Sequence, residues 1–299
     1  MHEQLLQIQG GSIKALARSI SLIENEHAGH EDLLRSIGAQ TNSNIIGITG
    51  PPGAGKSTLT DALIGEIVKE NKRVAVLCVD PSSPFNLGAL LGDRIRMSEW
   101  YNHPNVFIRS LATRGSMGGL APKIIEITDL IKSAGFDEII VETVGVGQSE
   151  IEIAGLADVT VVVMVPESGD EVQTMKAGLM EIGDVFVINK SDRPDADLFE
   201  KNLRLMLAPT SGDHRYQTPI IKTIATERKG VHELREAVKT KLMQEKVDER
   251  RLFLLAEKAW QLLVHKKMKN IDKTEIREMI RTRYQNKDFN LYKFIDSSF

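Results

Sequence analysis

One cysteine among 299 residues leaves Cys78 without an intramolecular disulfide partner. It lies in the apolar run Val74-Ala75-Val76-Leu77-Cys78-Val79 and reads as a small buried hydrophobe of a strand. A chain that does not rely on disulfides is expected in the cytoplasm. No apolar run approaches the length of a membrane span, and the first residues, Met1-His2-Glu3-Gln4-Leu5, carry no apolar signal core. The seven histidines (His2, His27, His30, His103, His214, His232, His265) are scattered, so an exposed Cys/His site for a cargo metal has little to draw on. The net charge of −3 gives no footing for non-specific nucleic-acid binding. Internal repeats and low-complexity linkers are absent as well.

What is there is ordinary globular composition, 41% hydrophobic and 26% charged, in a chain long enough to bury a sizeable core. Residues 1–40 read as helices, because Leu5, Ile8, Ile13, Leu16, Ile20 and Ile23 recur at roughly helical spacing. Between 41 and 245 the texture changes. Short β-branched runs at 45–49, 74–79, 106–108, 138–143, 159–165, 185–188 and 219–223 are each followed by a helical segment. Strands apolar on both faces and alternating with helices predict an α/β domain with a doubly wound, mostly parallel sheet. From 246 to 299 only helical signals remain, with Leu252, Leu255, Ala256, Ala259, Leu262 and Leu263 in a stripe. The expected layout is an N-terminal helical extension (1–40), a nucleotide-binding domain (41–245) and a C-terminal helical extension (246–299).

The most specific motif is Gly50-Pro51-Pro52-Gly53-Ala54-Gly55-Lys56-Ser57, set between an expected strand and an expected helix. The glycines let successive N–H groups turn inward, and the helix N-terminus adds its dipole, so the loop can cradle a β-phosphate. Lys56 supplies a charge between β- and γ-phosphates. Ser57 is placed to ligate Mg²⁺, and Thr58 lies near the α-phosphate.

A later strand ends in Asn189-Lys190-Ser191-Asp192, the N-K-x-D arrangement of GTPases. The Asp192 carboxylate can accept from N1–H and the 2-amino group of guanine. Adenine offers neither donor, so GTP and GDP are the expected ligands. Lys190 can lay its stem over the base and Asn189 can tie this loop to the phosphate loop. Thr223, Ile224 and Ala225 follow the next strand, where a backbone N–H could reach guanine O6.

Glu142-Thr143-Val144-Gly145 matches the D-x-x-G element with Glu for Asp. Glu142 is expected to hold Mg²⁺ directly or through water, and the Gly145 N–H to sense the γ-phosphate. Val146 stands where Ras-type enzymes carry a water-orienting Gln, which predicts slow intrinsic hydrolysis. Gln148 and Glu150 are nearby alternatives for holding the water. Asp80, at the end of a strand, and Asp93 read either as Mg²⁺ or water contacts or as a cap and a surface ion pair.

These residues resemble the MeaB/ArgK family of GTPases. The resemblance is carried by Gly47 to Thr58, Val79-Asp80-Pro81-Ser82-Ser83-Pro84, Leu91-Gly92-Asp93-Arg94, Arg114-Gly115 with Gly118-Gly119, Glu142 to Glu150, and Glu167 to Lys176. It runs through nearly the whole chain. It implies a dimeric P-loop GTPase whose C-terminal helices serve dimerisation. It also implies a chaperone that uses GTP to gate cofactor loading and to protect or reactivate an adenosylcobalamin-dependent acyl-CoA mutase, typically methylmalonyl-CoA mutase. By the same resemblance Asp80, Asp93 and Glu142 belong to the Mg²⁺ and switch network. The segment 167–176 couples nucleotide state to the partner, with Lys176 as its sensor. One departure is Phe85-Asn86-Leu87-Gly88-Ala89, where the family has a Ser/Thr-Gly-Gly stretch. Competing readings are a metal-delivering GTPase and a nucleotide-dependent kinase of an amino-acid transport system.

Overall fold

Seven β-branched runs become the seven strands of one sheet, and every pairing in it is parallel. The computed structural model describes residues 3–38, 43–80, 97–113, 120–143, 149–168, 179–207, 218–244, 249–268, 273–285 and 289–298. Three helices come first: α1 (Glu3–Gln9), α2 (Ile13–Glu24) and α3 (His30–Ser36). The strands are β1 (Asn44–Thr49), β2 (Val74–Asp80), β3 (Val106–Ala112), β4 (Glu138–Glu142), β5 (Val159–Met164), β6 (Val185–Asn189) and β7 (Ile220–Thr223). Between and after them lie α4 (Lys56–Lys69), α5 (Ile124–Ser133), α6 (Ser149–Leu156), α7 (Ala196–Leu207) and α8 (Val231–Leu242).

The strand order is β3-β2-β4-β1-β5-β6-β7. Every residue of β4, β5 and β6 is buried, which explains why these strands read as continuous apolar runs. Burying each such Val or Ile is worth about 1.5–3 kcal/mol relative to exposure. Cys78 is 1% exposed in β2, paired across to Glu142 on one side and Ser110 on the other. The third strand runs four residues beyond the apolar run at 106–108, through Arg109 and Ser110. Arg109 is tolerated there because α2 supplies its partners: the guanidinium donates to Glu24 Oε2 at 2.8 Å and Ser21 Oγ at 3.0 Å.

At the amino edge of the sheet a buried ion cluster pins α8. The Arg235 side chain is 0% exposed and donates to both Glu138 oxygens at 2.6 and 2.7 Å. It also donates to Glu70 at 2.7 and 3.1 Å, and Lys72 reaches Glu138 at 2.8 Å. Burial disfavours the Arg235 charge, but its bonds to Glu70 and Glu138 outweigh that cost and raise its pKa. The bond from Arg235 pulls the Glu70 carboxyl down to about 2.

Residues 1–251 form one compact unit and 252–299 a second. The helix α9 (Glu249–Met268) crosses that boundary; α10 (Lys273–Gln285) and α11 (Leu291–Ser298) belong to the second unit. Phe294 is buried there, with Phe289 at 5.9 Å and the Arg283 guanidinium 5.2 Å over its ring. Along α9, Leu252, Phe253, Trp260 and Leu263 are exposed, each by more than half. Among the described residues no helix is long and apolar enough to cross a membrane.

Candidate functional site

The parallel register collects the expected residues at the carboxyl edge of the sheet, on either side of β1. Ile48 of β1 stands beside Glu142 of β4, and Asn189 of β6 beside Thr223 of β7. Ligands of open α/β sheets bind at this edge. The loop from Gly50 leaves β1 and enters α4 at Gly55, its N-cap.

Two glycines are required by space as well as by dihedral angle. Gly50 has φ +139°, and a Cβ there would stand 2.0 Å from the Val163 carbonyl oxygen. Gly55 has φ +85°, and its Cβ would meet Asn189 Nδ2 at 2.4 Å. The Lys56 amine is buried and donates to the carbonyls of Gly50 (2.8 Å) and Pro51 (3.0 Å), so its charge sits within the loop.

Ser57 Oγ donates to Glu142 Oε1 at 2.6 Å, and Thr60 Oγ1 donates to Oε2 at 2.8 Å. Beside them Thr143 Oγ1 donates to Thr49 Oγ1 at 2.9 Å, and the Thr143 N–H to Ile48 O at 3.0 Å. The donor set is hydroxyl and carboxylate oxygen at the mouth of a phosphate-type loop, which fits a hard divalent cation such as Mg²⁺. Among the described residues no group of three or more His, Cys, Asp or Glu side chains gathers as a separate ligand set.

Asn189 is 2% exposed and joins three loops. Its Nδ2 donates to Ala54 O at 2.9 Å, while Oδ1 accepts from Thr223 Oγ1 at 3.0 Å and from the Ala225 N–H at 3.2 Å. Lys190 has φ +56° and lays its stem back across the loop to Gly53 O, at 2.9 Å. A cleft of about 200 Å³ results, with Gly55 and Thr58 on one wall and Asn189, Lys190, Asp192 and Ala225 on the other. Asp192 is exposed at its rim.

Thr223, Ile224 and Ala225 follow one another from the end of β7, and Ile224 and Ala225 line the cleft. The N–H of Ile224 donates to Lys229 O (3.1 Å) and that of Ala225 to Asn189 Oδ1, so both donors are engaged within the protein. A buried amide oxygen such as Oδ1 needs donors, and this loop provides two of them. Thr223 and Ala225 hold Asn189.

Asp80 ends β2 two residues beyond the Cys78–Glu142 pairing, at the same edge of the sheet; its side chain lies outside the described residues. Asp93, Gly145, Gln148 and Lys176 also lie outside them. Of the segment at 167–176 only its start is described: Arg193, next to Asp192, forms an ion pair with Glu167 and lowers the Glu167 pKa. Thr60 belongs to the site although no sequence motif marks it. Its spacing from Ser57 is visible in the sequence, but its partner lies 82 residues away.

A family model described as methylmalonyl-CoA mutase-associated GTPase MeaB matches residues 16–275. A Pyrococcus horikoshii protein, a GTPase by its provisional name, is 43% identical over 304 residues, covering 98% of this chain and 96% of its own. The GTPase ArgK of Escherichia coli is 31% identical over 302 residues, 97% of this chain and 88% of its own. The crystal structure of an LAO/AO transport system kinase superposes with a TM-score of 0.67 at 26% identity, covering 99% of this chain and 95% of that one.

Proposed function

The chain belongs to the MeaB family of methylmalonyl-CoA mutase-associated GTPases, and from that membership we propose that it is a Mg²⁺-dependent GTP-hydrolysing chaperone of an adenosylcobalamin-dependent acyl-CoA mutase. It gates cofactor loading and protects or reactivates the mutase, and its partner is of the methylmalonyl-CoA mutase type. The protein works as a cytoplasmic homodimer. The exposed apolar side chains of α9 support that assembly.

One observation carries the nucleotide reading: Gly55 of the phosphate loop and the Asn189–Asp192 loop line one cleft, and Ser57, on the helix which that loop opens, bonds Glu142. In this reading the N–H groups of 50–55 and the α4 N-terminus bind the β-phosphate, with Thr58 near the α-phosphate. Lys56 neutralises charge between β and γ. Ser57 and Glu142, with Asp80 and Asp93, would hold Mg²⁺, which supplies charge neutralisation of the transferred phosphoryl group. Gly145 senses the γ-phosphate, Gln148 or Glu150 orients water, and Lys176 reports nucleotide state to the partner. Asp192 selects guanine because its carboxylate has two donors to accept from there and none on adenine.

The test is GTP hydrolysis by the purified protein with and without the host's methylmalonyl-CoA mutase. A slow basal rate that rises with the mutase is expected, and Lys56→Ala abolishes tight binding and turnover in both. Tight GTP binding with a rate indifferent to the mutase removes that partner. Phosphate transfer from labelled ATP to a protein substrate would instead favour a transport-system kinase, the activity for which the structural relative is named.

A further inference from the structure

Ser57 and Thr60 stand three residues apart on α4, so their side chains share one face of the helix. Both reach the same carboxylate, one hydroxyl to each oxygen of Glu142. Thr60 is 0% exposed and Glu142 4% exposed. Packing alone asks for an aliphatic side chain at such a position. A hydroxyl withdrawn from water is costly unless it is bonded, and here its bond goes to Glu142.

The chain also departs from the usual acidic residue at this point. Glutamate has one more rotatable bond than aspartate, so a carboxylate at the end of β4 needs a second hold to keep one orientation. Thr60 provides it. By fixing Oε2 it leaves Oε1 as the oxygen that faces Ser57.

We infer that Thr60 is a positioning residue for the divalent-cation site: its hydroxyl orients the Glu142 carboxylate toward Ser57, and it acts on Mg²⁺ only through Glu142. This rests on the reading that Ser57 and Glu142 hold Mg²⁺ with the nucleotide. Partners that orient a metal ligand typically account for about 10–100-fold in metal affinity.

The experiment follows dissociation of a fluorescent GDP as MgCl₂ is titrated, which reads cation binding without turnover. Thermal unfolding is recorded alongside. For Thr60→Val the Mg²⁺ midpoint is expected to rise by about tenfold or more, and Thr60→Ser to stay within about twofold of wild type. In a Glu142→Gln background Thr60→Val adds nothing further. Thr60→Ala carries the same expectation if the valine variant does not fold. A lowered unfolding temperature with an unchanged Mg²⁺ midpoint overturns the inference, as does a full additive effect in the Glu142→Gln background. A wild-type protein whose GDP dissociation ignores Mg²⁺ overturns the underlying reading of the site, and the inference with it.

Discussion

Replacing Asn189 by alanine removes the only side chain among the described residues that bonds the phosphate loop, β7 and the loop after β7 together. The Ala54 carbonyl loses a donor; the Thr223 hydroxyl and the Ala225 N–H lose an acceptor. A net protein hydrogen bond is worth about 1 kcal/mol, so the three together give about 3 kcal/mol. Buried orphans raise that figure, and water admitted through the adjoining cleft lowers it. The expected loss is therefore ~2–4 kcal/mol, a large share of the ~5–15 kcal/mol that holds a domain folded. With a urea slope of about 3 kcal/mol/M, the unfolding midpoint should fall by ~1 M. Nucleotide affinity should fall in parallel by about tenfold or more, since 1.4 kcal/mol of lost organisation among the loops is already a factor of ten. Urea unfolding followed by circular dichroism, and titration with a fluorescent GDP, measure the two effects on one preparation. A variant with wild-type midpoint and wild-type GDP affinity would refute the idea that this amide clasps the cleft.

Three other outcomes are expected. Arg235→Met leaves Glu138, 1% exposed, with Lys72 as its one remaining ion-pair partner among the described residues and should cost ~3–5 kcal/mol in urea unfolding while the folded fraction keeps its GDP affinity, because the cluster lies at the opposite edge of the sheet. Glu70 has a folded pKa of about 2 against an ordinary 4.5. Its contribution is fully present above pH 4.5 and is lost as pH falls toward 2. Urea midpoints across that range should therefore decline less steeply in Glu70→Gln than in wild type. Asp192→Asn should weaken GTP and admit xanthosine nucleotides, read by competition against fluorescent GDP; unchanged GTP affinity would remove the base-reading role of Asp192.

The candidate nucleotide site is legible in the sequence because its chemistry is written in short contiguous strings, each tied to a strand end. Gly50 to Ser57 and Asn189 to Asp192 depend on local backbone turns, and local turns leave local signatures. The strands are legible because burial on both faces leaves unbroken β-branched runs. The third strand reads too short for the converse reason. Arg109 interrupts the pattern, and nothing local reveals that Glu24, 85 residues earlier, will take its charge. Thr60 and Arg235 are invisible on the same grounds. Each is an ordinary polar residue in a helix until the fold delivers a carboxylate to it from β4. The occupation of the Ala225 N–H by Asn189 is equally out of reach, since it depends on how two separate loops meet.

The solitary Cys78 has a practical consequence. Held at 1% exposure in β2 between β3 and β4, its thiol meets a water-borne reagent only when the sheet opens around β2. Its modification rate is then a clock for opening, slowed about tenfold for every 1.4 kcal/mol of opening free energy. Ligands that tighten the folded state will slow that clock in proportion to their occupancy, so affinity can be read from unlabelled protein. The same shielding lets a cysteine introduced at the surface be labelled selectively while the native thiol stays in place.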